Sequence, residues 1–246
     1  METGDNVLIV GFIITGTQPK KVIVRAIGPS LQANGAPVAG RLANPTLELY
    51  RGQTLLASND NWQESPNKQA IIDSTVPPSH PLESAIVAML PANGTGYTAI
   101  VRGAGGGAGI GLVELYDLDR SVDSQLANIS SRGLVQTGDN VMIGGFIIAG
   151  AGSKKVIVRA IGPSLPVPGK LADPTLELFN ANGQRIAMNN DWRETQQAEI
   201  IASTVPPTSP LESAIVSTLP PGGATAIVRG NGGTTGVALV EVYALD

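Results

Sequence analysis

Short apolar runs separated by turn-forming residues extend along the whole chain. Val, Ile, Leu and Thr fill the runs, and the Gly, Pro, Asn and Ser between them favour turns. In the first half the runs predict strands at residues 7–15, 21–27, 46–51, 54–57, 84–90, 97–102 and 110–115. Residues 68–76 and 196–205 each predict one short helical turn, which the following Pro-Pro ends. Many short strands with little helix indicate an antiparallel sandwich.

The chain consists of two tandem copies of one domain, because the same motifs return in the same order. The recurring segments are GDNV at Gly4 and Gly138, KKVIVRAIGPSL at Lys20 and Lys154, PTLEL at Pro45 and Pro174, STVPP at Ser74 and Ser203, and TAIVRG at Thr98 and Thr225. Length differences between the copies fall in Gly-, Pro-, Asn- and Ser-rich stretches, where surface loops tolerate insertion. We therefore predict an all-β protein of two tandem antiparallel β-sandwich domains, jelly-roll or immunoglobulin-like, at residues 1–119 and 126–246, joined by a linker at 120–125.

The two copies differ at their beginnings. Residues 126–136 (LANISSRGLVQ) predict an opening strand for the second domain, whereas residues 1–3 align with residues 135–137. The first domain is therefore expected to obtain this strand from residues ahead of Met1 or from a neighbouring molecule. An unfilled sheet edge carries unpaired N–H and C=O groups and invites a strand from another chain. Other copies of the protein, or neighbouring repeats, are the predicted partners.

Composition excludes several classes of function. The chain has no cysteine, a net charge of −4 and no run of basic residues, so neither disulfides nor a nucleic-acid footprint is expected. No apolar stretch approaches the ~20 residues of a membrane-spanning helix. The doublets Lys20-Lys21 and Lys154-Lys155 are interpreted as solvated strand ends.

Catalytic constellations are also missing. The single histidine, His80, aligns with Ser209, so a Ser-His-Asp arrangement cannot occur in both copies. The glycine run at residues 103–111 lies between two predicted strands, which favours a flexible hairpin loop over a dinucleotide-binding turn. Charged residues within or beside the strands recur in both copies: Arg25, Arg102, Glu48, Glu83 and Glu114, with partners Arg159, Arg229, Glu177, Glu212 and Glu241. Carboxylate pairs act in glycosidases, but cross-strand Arg–Glu pairing explains these residues without catalysis.

The two tryptophans, Trp62 and Trp192, follow Asn/Asp-rich turns at matching positions. An exposed tryptophan at a loop edge presents an aromatic face on which a sugar ring can stack, and Asn61 and Asn190 would then supply polar contacts. The alternative interpretation, which we favour, is that each tryptophan closes one end of its sandwich as a core residue.

Calcium is the one metal that the loops suggest, because oxygen ligands suit Ca²⁺. Asp60 and Asp191 lie in these loops, and Asp5 and Asp139 of the GDN motifs could contribute. One aspartate per loop is few against the six to eight oxygens that Ca²⁺ takes. The alternative is that the Asn and Asp side chains bond to the turn backbone.

These motifs resemble a repeat of large secreted or surface proteins of environmental bacteria. Its pattern corresponds here to GDNV, VRAIGPSL, PTLEL, the Asn/Asp-Trp turn, TAIVRG and the closing LVE strand. The closing segments are also loosely similar to bacterial pre-peptidase C-terminal sandwiches. The resemblance implies an extracellular or surface-displayed accessory module without enzymatic activity. The function expected is structural, adhesive or filament-forming, and the alternative is a pair of carbohydrate-binding modules that use Trp62 and Trp192.

Overall fold

The computed structural model describes residues 7–245 and divides the chain into two compact units, with the boundary between Ala127 and Asn128. About half of the chain is strand, and the two α-helices are single short turns. The boundary lies inside one strand of 12 residues, Ser124–Val135, so that this strand begins in the first unit and ends in the second.

Among its described residues the first unit has nine strands and one α-helix before the boundary strand. In chain order they are β1 (Leu8–Gly16), β2 (Lys20–Ile27), β3 (Gln32–Ala33), β4 (Ala36–Pro37), β5 (Pro45–Arg51), β6 (Thr54–Asn59), α1 (Lys68–Asp73), β7 (Ser84–Leu90), β8 (Gly96–Gly103) and β9 (Leu112–Asp117). One sheet has the order β7, β2, β9, and the other contains β1, β8, β5 and β6 in that order. All pairings within these sheets are antiparallel.

The second unit repeats the two sheets, with one additional strand in one of them and no counterpart of the β3–β4 pair among its described residues. Its elements are β10 (Ser124–Val135), β11 (Met142–Ile148), β12 (Lys154–Ile161), β13 (Pro174–Asn180), β14 (Arg185–Asn189), α2 (Gln197–Ala202), β15 (Ser213–Leu219), β16 (Gly222–Gly230) and β17 (Gly236–Ala244). One sheet has the order β15, β12, β17, β10, and the other has the order β11, β16, β13, β14. The predicted fold class, two antiparallel β-sandwiches, is confirmed.

Alternation of apolar and polar residues explains why these segments form strands. In β5 the positions of Pro45, Leu47 and Leu49 are buried, while the residues between them are partly exposed. Side chains of a strand point alternately to opposite faces, so this pattern places one face against the core. All seven strands predicted for the first copy are present, and both predicted helical turns occur as α1 and α2.

The prediction of a hairpin at residues 103–111 is wrong. β8 pairs with β1 and β5, whereas β9 pairs with β2, so the glycine run carries the chain from one sheet to the other. At Gly109 the backbone passes very close to another segment, which excludes a side chain. A Cβ on Gly109, whose φ is +159°, would lie 2.8 Å from the carbonyl oxygen of Gly40. The equivalent β16 and β17 of the second unit also lie in different sheets.

Each sandwich encloses an apolar core between its sheets. In the second unit the core includes Val158, Leu176, Leu178, Val228 and Val135, all fully buried. In the first unit Phe12 and Tyr97 stack inside the sandwich with ring centroids 5.4 Å apart. These cores hold the loops and sheet edges in fixed positions.

Candidate functional site

The two tryptophans are core residues. Trp62 is 8% exposed and Trp192 is 4% exposed. Each indole Nε1–H donates to a backbone carbonyl, that of His80 at 3.1 Å for Trp62 and that of Ser209 at 3.0 Å for Trp192. The Arg193 guanidinium also lies 5.0 Å from the centre of the Trp192 ring. The assignment of these residues as sugar-stacking platforms is therefore corrected, because neither ring offers an open face.

The tryptophans pack against equivalent clusters in the two units. Trp62 contacts Ile23, Ile71 and Ala85, and thus joins β2, α1 and β7. Trp192 belongs to a cluster with Ile157, Ile200, Ala214 and Val216. The short helix after each Asn/Asp turn therefore covers the tryptophan from outside. The prediction that the tryptophans are buried is confirmed, but their position differs from the predicted end of the sandwich. Ile157 lies on the opposite face of β12 from the core between the sheets, so Trp192 fills the space between the outer face of this sheet and α2.

The asparagines beside the tryptophans mostly organise the loop itself. Asn61 accepts a bond from the Glu64 amide through its carbonyl oxygen at 3.0 Å, and the Asn190 carbonyl accepts one from the Ser213 hydroxyl. Their side-chain Oδ1 atoms are buried without a hydrogen-bond partner among residues 7–245. Within that range nothing assigns a ligand to Asn61 or Asn190.

Neighbouring asparagines connect these loops to the sheet. Asn59 Oδ1 accepts a bond from the Ala85 amide at 2.9 Å, and Asn189 Oδ1 accepts one from the Ala214 amide at 3.0 Å. Such bonds from side chain to backbone are the alternative to calcium binding that the sequence suggests for these loops.

Calcium binding stays a prediction. Asp60 and Asp139 are exposed, Asp191 is half-buried, and Asp5 lies outside the described residues. Between residues 7 and 245 no group of three or more His, Asp or Glu side chains is arranged to hold a metal ion. Asp191 carries a buried Oδ1 that lacks a hydrogen-bond partner there.

The predicted cross-strand Arg–Glu pairs are confirmed. Arg25 on β2 lies opposite Glu114 on β9 and pairs with its carboxylate, and Arg159 on β12 pairs in the same way with Glu241 on β17. On the other sheets Arg102 pairs with Glu48, and Arg229 Nε lies 3.5 Å from Glu177 Oε2. These pairs join strands of the scaffold.

A tyrosine completes the better-buried pair in each unit. The Tyr116 hydroxyl donates to Glu114 Oε1 at 2.8 Å, and the Tyr243 hydroxyl donates to Glu241 Oε1 at 3.0 Å. The arginine also lies over the tyrosine ring, 5.2 Å from the centre of Tyr116. Burial, followed by the adjacent carboxylate, raises the pKa of both tyrosines. The arrangement holds the tyrosine in its neutral form, which suits a structural contact.

Glu83 and Glu212 do not pair with arginine, contrary to the cross-strand prediction. Both side chains are fully buried. Glu83 Oε1 accepts bonds from the amides of Gly28 and Ser30, at 3.2 and 2.9 Å, and from the Ser30 hydroxyl at 2.5 Å. Its Oε2 accepts a bond from the His80 amide at 3.2 Å. Glu212 makes the same four contacts in the second unit.

This carboxylate cradle fixes the Gly-Pro-Ser turn that follows β2 and β12. A buried carboxylate requires such donors, because an unpaired charge inside a protein is costly. Sequence reasoning missed the cradle because Glu83 lies 53 to 55 residues from Ser30 and Gly28. The one available signal was that GPS and PLES recur together in both copies.

The interpretation of Lys20 as a solvated strand end is wrong. Lys20 is fully buried, its Nζ lies 3.1 Å from Asp117 Oδ2, and it donates to the Asp119 carbonyl at 2.7 Å. It anchors the end of β9 and the segment that follows. Lys154 of the second unit is half-buried, and Ala244 stands there in place of Asp117.

The outer edge of strand β9 is a further candidate site. β9 pairs with β2 on one side, and no segment among residues 7–245 pairs with its other side. The equivalent strand of the second unit, β17, pairs with β12 on one side and with β10 on the other. The outer edge of β9 therefore differs from the equivalent edge of β17 in the second unit.

No protein-family model and no curated protein matches the chain. Among solved structures it is similar to the tandem CBM51 modules of a family 98 glycoside hydrolase from Streptococcus pneumoniae, with 9% identity over 96% of this chain and 81% of that one, at a TM-score of 0.26. It is also similar to the STIV MCP, with 16% identity over 98% and 92% of the two chains and a TM-score of 0.27. A third similarity is to the CUB1-EGF-CUB2 region of human MASP-1/3, with 8% identity over 99% and 97% and a TM-score of 0.21. At these TM-scores no property of those proteins is transferred to this chain.

Proposed function

We propose that this chain is a non-catalytic structural module of a secreted or surface-displayed protein, in which two β-sandwich units serve assembly or adhesion. The observation that carries the proposal is the use of the charged and aromatic residues that both copies retain. The Arg–Glu–Tyr contacts, the carboxylate cradles and both tryptophans bind other parts of the same unit.

Catalytic groups normally differ from such residues in two respects. They lie in a cleft, and they keep an atom free for substrate. Glu83 and Glu212 have no such freedom, because both oxygens of each carboxylate accept bonds from the protein itself. The single histidine uses Nδ1 within the loop, where it accepts a bond from the Leu82 amide at 3.2 Å, and Ser209 stands at its position in the second unit. These contacts favour a scaffold over an enzyme.

The proposed location outside the cell rests on the family resemblance described above. No helix among residues 7–245 is long and apolar enough to cross a membrane. The absence of cysteine is compatible with an oxidising environment, where a free thiol would be a liability.

Sedimentation velocity of the intact chain, from low micromolar to near-millimolar concentration, tests the proposal. The expected result is reversible, concentration-dependent association, with ordered oligomers or fibres visible by electron microscopy at the highest concentration. The same preparations are assayed against a panel of polysaccharides, glycosides and peptides. A strictly monomeric protein would contradict the assembly role, and hydrolysis of any of these substrates would contradict a non-catalytic module.

A further inference from the structure

The two units differ by one strand in one sheet. In the second unit β17 lies between β12 and β10, so the sheet has four strands. Residues Asn128 to Val135 of β10 pair with it in antiparallel register, Asn128 opposite Tyr243 and Val135 opposite Gly236. In the first unit the sheet of described strands ends at β9.

The exposure of side chains on the outer face differs in the same way between the two units. In the second unit Val237 is 5% exposed and packs in a small cluster with Leu134, Leu165 and Leu239. The residues of the first unit that correspond to Val237 and Leu239 are Ile110 and Leu112, which are 38% and 41% exposed. The apolar surface that Leu134 covers in one unit is therefore open in the other.

The inner face shows the same difference. Val135, the last residue of β10, is fully buried in the core of the second unit, and Val240, which lies opposite Ser131 of the same strand, is 3% exposed. The equivalent of Val240 in the first unit is Val113, which is only half-buried. The strand that completes the sheet thus carries an apolar residue on each of its faces.

The backbone of β9 is oriented to receive that strand. The Leu118 amide donates to the Lys21 carbonyl, and the Ile110 amide donates to the Gly40 carbonyl, so the even-numbered positions face the β2 side. Backbone groups alternate in direction along a strand. The N–H and C=O groups of Gly111, Val113 and Leu115 consequently point to the outer edge.

We propose that the outer edge of β9 is a docking site for an extended strand from another polypeptide, with the residue pattern of residues 128–135. The strand pairs antiparallel with residues 109–116, places its counterpart of Leu134 on Ile110 and Leu112, and inserts its counterpart of Val135 into the core. Edge pairing of this kind takes affinity from main-chain bonds and specificity from side-chain pockets. The inference deepens the proposed function, since it names the partner through which the module assembles.

The test adds a synthetic LANISSRGLVQ peptide to the intact chain and follows hydrogen exchange at single residues. The expected result is one peptide per chain, with slowed exchange at the amides of Gly111, Val113 and Leu115. A peptide with the same composition in scrambled order should give no protection. Slow exchange at these three amides in the free protein would show an edge that is already filled and would overturn the inference. Peptide-induced protection confined to other strands would also overturn it.

Two leucines of equal exposure provide a matched pair of variants. Leu112 and Leu82 are both 41% exposed, but only Leu112 lies on β9. Leu112→Asp should weaken peptide binding by roughly tenfold or more, because a buried leucine contact is lost, and Leu82→Asp should bind as the parent does. Equal binding by both variants would overturn the inference. Peptide capture by a chain that never self-associates would support the docking site and contradict the assembly function, which separates the two proposals.

Discussion

The sequence raises two hypotheses for Trp62 and Trp192, an exposed ring that stacks on a sugar or a buried core residue. The burial of both rings supports the second. Each ring lies under a short helix and donates its indole N–H to a backbone carbonyl. Nothing in the sequence near an Asn/Asp turn distinguishes a ring that faces solvent from one that faces the core. The residue type and position were predictable, but the direction of the side chain was not.

Trp62→Ala should therefore unfold the first unit more readily and leave the behaviour toward polysaccharides unchanged. Large-to-small substitution of a buried aromatic residue costs about 3–5 kcal/mol. Urea denaturation measures the loss, and Trp62→Phe, which retains most of the apolar contact, should lose clearly less. A Trp62→Ala protein with parental stability and weakened retention on a polysaccharide would restore the stacking hypothesis.

Glu83 gives a second prediction at this scale. Glu83→Gln places an amide where the carboxylate accepts bonds from two backbone N–H groups and a hydroxyl, so the free energy of unfolding should fall by about 2–3 kcal/mol. Glu48→Gln is the control, because Glu48 pairs with Arg102 at the exposed surface and such pairs contribute about 1 kcal/mol or less. Equal losses in the two variants, measured by chemical denaturation, would show that the cradle contributes nothing special.

At the scale of elements, the closing strands β9 and β17 each bring a tyrosine against an arginine and a glutamate. Burial raises the pKa of Tyr243, and the Glu241 carboxylate raises it further. A raised pKa means that the folded state retains the phenol proton more strongly than the unfolded chain does. The corresponding stability is fully present below the unfolded pKa of about 10 and is lost as the pH rises through the folded pKa.

Chemical denaturation between about pH 8 and pH 11.5 tests this dependence. The parent protein should lose stability more steeply above about pH 10 than Tyr243→Phe, which has no proton to release at that position. An ultraviolet titration of tyrosinate absorbance should show Tyr243 and Tyr116 ionising late. Parallel stability curves for the parent and the variant would contradict the linkage.

The elements themselves were predictable, since apolar runs bounded by Gly and Pro located all seven strands of the first copy and both helical turns. Their sheet partners were not. Residues 103–111 look locally like a hairpin, yet β8 and β9 lie in different sheets. Local sequence specifies where a strand begins and ends, but the choice of neighbour depends on contacts between distant segments, such as Gly109 with Gly40.

For the whole molecule, an edge of β9 with which no strand among residues 7–245 pairs predicts unequal stability of two similar units. Calorimetry of the intact chain should show two transitions, the lower one from the first unit. For a domain of this size each kcal/mol lowers the melting temperature by about 4 °C or more. The first unit is expected to melt first because its sheet of described strands ends at β9, whereas the equivalent sheet of the second unit has a fourth strand. The two cores otherwise have corresponding residues.

Each unit contains one tryptophan, which allows the transitions to be assigned. Trp192→Phe leaves the fluorescence of Trp62 to report the first unit, and Trp62→Phe leaves that of Trp192 to report the second. Each variant reports the melting of the unit whose tryptophan is unchanged. The difference between the two melting temperatures is therefore the difference in stability between the two units. A first unit that melts at or above the temperature of the second would show that the fourth strand is dispensable.

Residues 128–135 of the strand Ser124–Val135 complete a sheet of the second unit, and all of them belong to that unit. If the edge of β9 takes its strand from another molecule, as proposed, only one end of each molecule accepts a strand. Growth would then be polar: a free β9-type edge marks the end that accepts, and addition at that end needs only an extended segment rather than a folded partner. Short soluble peptides of the β10 type would act as chain terminators in such a series.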